Sequence, residues 1–225
     1  MVYGEPGVGK THLLGTAQDH KDTSPLLIID IDGGVQTLRK RKDIDVVQAR
    51  SFDHLVAVYK ELFNSIKNGK LEYSTIGIDT LSEFQKLDIG KIARDFADGN
   101  PKLDEDVPDM RAYYKSGEHI RKIVRAFRDL PANVIFNCHT VTDKDNFNRT
   151  VYLPHLPGKL KVDIPGFLDI VGYYRAETED GVVNRYLQVQ KTESVIAKDR
   201  TGALDPVEPN PTLPMLWDKL KESNK

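Results

Sequence analysis

Short apolar runs alternate along this chain with longer stretches in which apolar positions recur every three or four residues. The runs cover residues 25–30, 45–48, 74–79 and 133–138. Near-continuous apolar strands of this kind suit a parallel sheet covered on both faces. Between them, Leu55, Val58, Tyr59, Leu62, Phe63 and Ile66 share one helical face, with Ser51 or Asp53 available as the cap. A second helix is expected over residues 81–96. A third is expected over 110–130, with Ile120, Ile123, Val124 and Phe127 as its apolar stripe. The alternation predicts an α/β fold with a right-handed, doubly wound, mostly parallel sheet.

The pattern changes after about residue 150. Residues 169–175 and 184–190 read as strands joined through the Glu179-Asp180-Gly181 turn, an antiparallel extension on the sheet edge. Residues 206–214 are rich in proline and asparagine, which predicts an extended arm. It ends in a short helix over 215–221 that carries the one tryptophan, Trp217. The expected organisation is one domain over residues 1–205 followed by an arm over 206–225.

One segment carries specific chemistry. Gly4-Glu5-Pro6-Gly7-Val8-Gly9-Lys10-Thr11 fits G-x-x-x-x-G-K-[ST], the phosphate-cradling P-loop. Its glycines let backbone N–H groups turn inward toward phosphate oxygens. Lys10 would reach the β- and γ-phosphates, Thr11 would hold Mg²⁺, and the helix that opens there extends the nucleotide-contacting set to His12. Only three residues precede Gly4, so the strand leading into the loop is expected to be short or truncated.

Two further strand ends offer carboxylates. Asp79, followed by Thr80, fits the Walker B pattern, a strand-terminal acid that binds Mg²⁺ through water. Asp30 and Asp32 flank Ile31 at the end of another strand, and period-two geometry places both on one face. Asp32 lies farther toward the carboxyl edge, where ligands of open α/β sheets gather, and is the candidate for polarising the attacking water. The competing reading of Asp32-Gly33-Gly34 is a simple turn. His139 closes the fourth strand and is a candidate contact for the γ-phosphate, or else only a strand cap. No histidine pairs with another ligand at zinc-like spacing, so no structural metal is expected.

Composition narrows the class. The formal net charge of −2 excludes a bulk polycation, so any nucleic-acid contact must come from local patches or from assembly. No apolar run approaches the roughly 20 residues of a membrane span and no signal peptide precedes the P-loop, which points to the cytoplasm. Cys138 is the one cysteine; it sits within an apolar strand and reads as a buried, inert thiol.

Taken together, these segments resemble the RecA-type (AAA/RecA) P-loop ATPases. More narrowly they resemble the phage-encoded nucleotide-binding proteins that act as ATP-dependent single-strand annealing proteins. The resemblance runs through GEPGVGKT, IIDIDGG, IGIDTLSEF, LPANVIFNCH, YLPHLPGKL, IPGFLDIVGYY and AKDRTGAL. It implies a RecA-like fold, ATP and Mg²⁺ as cofactors, homo-oligomeric assembly as a ring or filament, and single-stranded DNA as partner in recombination. It also implies a water-activating carboxylate at Asp32, where the family carries glutamate, and a γ-phosphate sensor at His139. Lys198 and Arg200 match the basic residues that reach a neighbouring subunit's nucleotide, and phage origin would place the protein in the host cytoplasm.

DNA contact has two candidate regions. Arg39-Lys40-Arg41-Lys42 is the densest basic run and reads more simply as a solvated helix end. Residues 140–161 hold Lys144, Arg149, Lys159 and Lys161 with Phe147 and Tyr152 interleaved, a pattern suited to base stacking among phosphate-binding cations. RecA-like proteins place DNA-binding loops after this strand. The rival functions are a nucleotide or small-molecule kinase, for which no arginine-rich lid stands out, and a nucleotide-dependent switch without hydrolysis.

Overall fold

The computed structural model describes residues 1–69, 71–100 and 102–223; the last two residues of the expected arm lie outside them. Eight strands form the main path of a mostly parallel sheet. They are β1 (Val2–Gly4), β2 (Leu26–Asp30), β3 (Asp45–Gln48), β4 (Thr75–Asp79), β5 (Asn133–Lys144), β7 (Ile170–Glu179), β8 (Val182–Gln188) and β10 (Val207–Pro209). Their order is β10-β8-β7-β1-β5-β4-β2-β3, with β6 (Thr150–Pro154) on β5 and β9 (Lys198–Asp199) on β7. The strands β3, β2, β4, β5, β1 and β7 are parallel in sequence, and β8 and β10 extend that edge antiparallel.

Of the apolar runs, β2 and β4 are interior strands with every residue buried, whereas β3 lies at the sheet edge and is largely exposed. Helices cover both faces. Tyr3, Ile29, Ile78, Phe136 and Val171 pack with Leu55 of α2 (Phe52–Lys67), Phe84 of α3 (Leu81–Asp98), Phe127 of α4 (Met110–Arg128) and Ile164 of α5 (Leu160–Phe167). On the other face, Val2 and Leu187 meet Leu13 of α1 (Lys10–Gly15) and Leu216 of α6 (Leu213–Glu222).

The helices begin where side chains satisfy their free N–H groups. Ser51, not Asp53, caps α2 by accepting from His54 N, Thr80 caps α3, and Asp109 caps α4. At the β7–β8 hairpin, Asp180 and Gly181 both adopt positive φ, of 49° and 78°. Those values are what a two-residue turn matching the strand twist requires.

Two regions differ from the sequence expectation. The stretch after β5 is not a loop: β5 continues to Lys144, turns at Asp145–Arg149 through Asn148 (φ 60°), and returns as β6, with α5 following. The alternating polar and β-branched residues 140–144 and 150–153 carry this hairpin, and the basic content of the segment obscured it. The segment after residue 205 is extended, but it packs against the domain. Glu208 pairs with Leu187 in the sheet, Leu213 N donates to Thr16 Oγ1, and Lys219 Nζ bonds Glu208 and Asp205. No described helix is long and apolar enough to cross a membrane.

Candidate nucleotide site

β1 lies at the centre of the sheet, with Val2 paired to Asn137 on one side and Gly172 on the other. Its three residues are all buried, and the loop that follows opens at the carboxyl edge. Gly4 is required there because a Cβ would stand 2.1 Å from the Tyr174 carbonyl oxygen. Gly7 and Gly9 take φ of 80° and 105°, a region that L side chains rarely adopt.

Lys10 leaves the loop into the interior, 6% exposed, and its Nζ donates to the Gly4 and Glu5 carbonyls at 2.9 Å each. Burial pulls its pKa down, and the carboxylates of Asp79, Glu5 and Asp32 oppose that pull. Glu5, Pro6, Gly7 and His12 are exposed around the loop, whereas Val8 packs inward. A buried ammonium at the base of a glycine-rich loop, whose amides can turn inward, suits a multiply charged anion.

Thr11 and Asp79 meet directly: the Thr11 hydroxyl donates to Asp79 Oδ2 at 2.6 Å. Asp79 ends β4 with 1% exposure, and burial raises its pKa against the opposing contacts of Thr11 and Asn137. The residues fit a magnesium ion carried with a nucleotide, since both donors are hard oxygens and one is a buried carboxylate. The described residues form no group of three or more His, Cys, Asp or Glu ligands. The ion's remaining positions would therefore be filled by phosphate oxygens and water. Bound there, Mg²⁺ would supply charge neutralisation at the β- and γ-phosphates.

His139 is the register partner of Gly4 and so stands beside the P-loop, but it lies within β5 rather than closing it, because pairing with β6 carries the strand on to Lys144. Burial, then the Lys10 charge, lowers its pKa, which keeps the ring neutral at pH 7. Its Nε2 lies 3.8 Å from Glu83 Oε1 and its backbone N–H donates to Ser82 Oγ at 2.9 Å. Asp32 follows the end of β2 on an exposed turn and accepts from Gly34 N at 2.8 Å. Its charge lies within electrostatic reach of Lys10, Asp79 and His139. Lys10, Thr11, Asp79, Asp32 and His139 thus converge at the carboxyl edge.

Lys198 and Arg200 do not join them. Lys198 pairs with Val171, one residue before the partner of Val2, and so lies on the amino side of the P-loop turn. Its Nζ donates to the Pro165 carbonyl at 2.8 Å, and Arg200 bonds Asp169. Arg41, in the densest basic run, is held by Asp19 and Asp43.

Around residues 140–161 the aromatic and basic groups separate in role. Tyr152 stacks on Tyr173 at 5.0 Å and is not free to receive a base, whereas Phe147 at the hairpin tip is 79% exposed. Arg149 is paired with Asp145 and Glu193, and Lys161 with Asp143. Cys138 is buried, its thiol pushed up to about 11 by burial, 3.0 Å from Ser82 Oγ.

Sequence reasoning missed two groups. Arg185 of β8 donates from Nε to the Val8 carbonyl at 3.0 Å and packs against Gly9. Glu83, in the first turn of α3, faces His139. Glu83 is legible locally only as the Glu of the Thr80-x-x-Glu83 capping sequence, and Arg185 belongs to no local motif. Arg185 reaches the loop through the β7–β8 register, 177 residues away in sequence.

A P-loop on the central strand, with a Mg²⁺-competent acid two strands away, defines a P-loop nucleoside-triphosphatase fold. Residues 1–201 match the AAA domain family, and the chain belongs to it; AAA domains are nucleotide-binding ATPase domains. No curated protein matches the chain.

Proposed function

We propose that this protein binds ATP·Mg²⁺ at the P-loop and hydrolyses it, with single-stranded DNA as the partner that stimulates turnover. The observation that carries the nucleotide reading is the union of a buried Lys10 with the Thr11–Asp79 pair at one strand edge. Lys10 and the loop amides would stabilise charge on the transferring phosphoryl group, Asp32 would orient water, and His139 would contact the γ-phosphate. Aspartate at the water-orienting position is one methylene shorter than glutamate and lies on an exposed turn. Slow unstimulated hydrolysis follows from that shorter reach.

The DNA reading, in phage-type recombination or annealing, is supported by Phe147, exposed at the hairpin tip with the Arg149 guanidinium 5.1 Å from its ring. Two of the neighbouring cations, Arg149 and Lys161, are already paired with acids, and Lys144 bonds the Thr150 hydroxyl. Contact led by stacking, with few counterions released, should therefore weaken only shallowly with salt. In a homo-oligomer, Lys198 and Arg200 would serve the neighbouring protomer's nucleotide.

The test is phosphate release with and without single-stranded DNA, comparing the native chain with Lys10→Ala, Asp32→Ala and Phe147→Ala. The reading expects DNA-stimulated release that Lys10→Ala abolishes, Asp32→Ala reduces, and Phe147→Ala uncouples from DNA. Transfer of phosphate to an added acceptor would make the protein a kinase. Tight ATP binding with no release under either condition would make it a switch.

A further inference from the structure

We propose that Asp30 is a second carboxylate of the cation site, holding a Mg²⁺-bound water beside the nucleotide. This deepens the ATP·Mg²⁺ reading above and rests on it.

Asp30 ends β2, and its register partner is Asp79, the end of β4. Register partners in adjacent parallel strands project to the same face of the sheet. The Thr11 hydroxyl on Asp79 identifies that face as the one beneath the P-loop helix. One strand further, Ile78 pairs with Phe136, which brings Asn137 beside Asp79, where its amide lowers the Asp79 pKa. A row of three polar strand ends, Asp30, Asp79 and Asn137, therefore underlies Lys10 and Thr11.

The two oxygens of Asp30 differ. Oδ1 accepts from Gly33 N at 3.0 Å and closes the turn that carries Asp32. Oδ2 is buried without a hydrogen-bond partner, in a residue only 1% exposed. Closing the turn needs one acceptor oxygen, which asparagine or serine would provide without burying a charge. A buried, unpartnered carboxylate oxygen is costly to keep, and a cation or its hydration water satisfies it. Adjacent strands lie about 4.8 Å apart, so a water on the ion that Thr11 and Asp79 would hold comes within reach of Asp30. Mg²⁺ typically retains several waters, which need acceptors of this kind. The Gly34 N–H and the Arg50 charge also act on the Asp30 carboxylate, but Gly34 N bonds Asp32 and the Arg50 guanidinium bonds Gln48, and no ion pair reaches Asp30 among the described residues.

The test uses the full chain and Asp30→Asn, which keeps an Oδ1 acceptor for Gly33 and the same volume but replaces Oδ2 with a neutral donor. Mn²⁺ would be titrated into protein saturated with ADP and followed by the electron paramagnetic resonance of free Mn²⁺. Metal-free ADP affinity would be measured separately in chelator. The proposal expects Mn²⁺ affinity to fall about tenfold or more, the scale of outer-shell substitutions. Metal-free ADP affinity would hold or tighten, because a negative charge near the phosphates has gone. Asp30→Ser, which also keeps one acceptor, should behave the same way if the asparagine variant does not fold. Unchanged Mn²⁺ affinity in the folded variants, whatever their melting temperature, would show that Asp30 serves the turn alone and overturn the proposal. A native chain that binds no nucleotide in either condition would instead overturn the reading beneath it, and this one with it.

Discussion

Thr11 Oγ1 and Asp79 Oδ2 are 2.6 Å apart, a hydrogen bond that ties the first turn of α1 to the end of a strand 68 positions later. The bond holds a carboxylate that burial makes harder to ionise: Asp79's pKa is raised above the ordinary value near 4. A raised folded-state pKa means that the folded chain binds the proton more tightly than the unfolded one. Stability from this group is therefore full below the unfolded pKa and is lost as pH rises through the folded value. Asp79→Asn removes the titration while leaving an acceptor for Thr11. In nucleotide-free protein, thermal melts between pH 4 and 8 should show the variant more stable than the native chain at neutral pH. The gap should close as pH falls toward 4. Equal melting temperatures throughout would mean that burial of Asp79 carries no cost.

Lys10 poses the same conflict with opposite charge. Its ammonium is desolvated and held by two backbone carbonyls, so an apolar residue of similar length should keep the fold. Lys10→Met is expected to match or exceed the native melting temperature without nucleotide. With ATP·Mg²⁺ at 100 times Kd, the native chain should gain about 2.7 kcal/mol, or roughly 5–10 °C for a domain of this size. The variant should gain almost nothing at the same concentration. A full shift in Lys10→Met would remove the P-loop from the binding site.

Much of this was legible in the chain because the signals are local. The P-loop is contiguous, and the runs up to Asp30, Asp79 and Cys138 are continuous and apolar, so their shared edge follows from α/β topology, although β5 itself runs on to Lys144. The hairpin beyond β5 was not legible, because its polar alternation resembles a solvated loop and its pairing is fixed by β6 rather than by any one segment. Tyr152 shows the same limit: among cations in sequence it resembles a base-stacking group, yet in space its ring belongs to Tyr173. Asp32 and His139 were found by position, whereas Arg185 could be found only once the β7–β8 register was known.

Gly4 and Gly7 separate packing from backbone conformation within one loop. A Cβ at Gly4 would collide with the Tyr174 carbonyl, and β1 is fixed between β5 and β7, so the strand cannot yield. A Cβ at Gly7 would meet nothing within 4 Å, but its φ of 80° is unfavourable for any L residue. Gly7→Ala should cost about 1–2 kcal/mol, the usual left-handed penalty. Gly4→Ala should cost about 3 kcal/mol or more, at the upper end of overpacking. Urea unfolding midpoints would rank them, and the opposite order would contradict the placement of β1.

Arg185 gives the last prediction, because it connects the sheet's antiparallel edge to the nucleotide loop. Its Nε bonds the Val8 carbonyl at 3.0 Å, and a Cβ at Gly9 would lie 3.0 Å from the same atom. Glycine at position 9 thus serves two ends, its φ of 105° and the close approach of the guanidinium. The arginine is itself held in place: its N–H donates to Asn210 Oδ1 at 2.8 Å, and Asn210 N donates back to its carbonyl at 2.6 Å. Arg185→Ala leaves this backbone pairing intact and removes only the brace on the loop. One such hydrogen bond is worth about 1 kcal/mol, so ATP affinity should fall roughly fivefold. The loss should sit mainly in a faster off-rate, since the loop must now be ordered by the ligand. Stopped-flow release of a fluorescent ATP analogue reads that rate directly. An unchanged off-rate with an unchanged melting temperature would show that the P-loop holds its shape without the arginine.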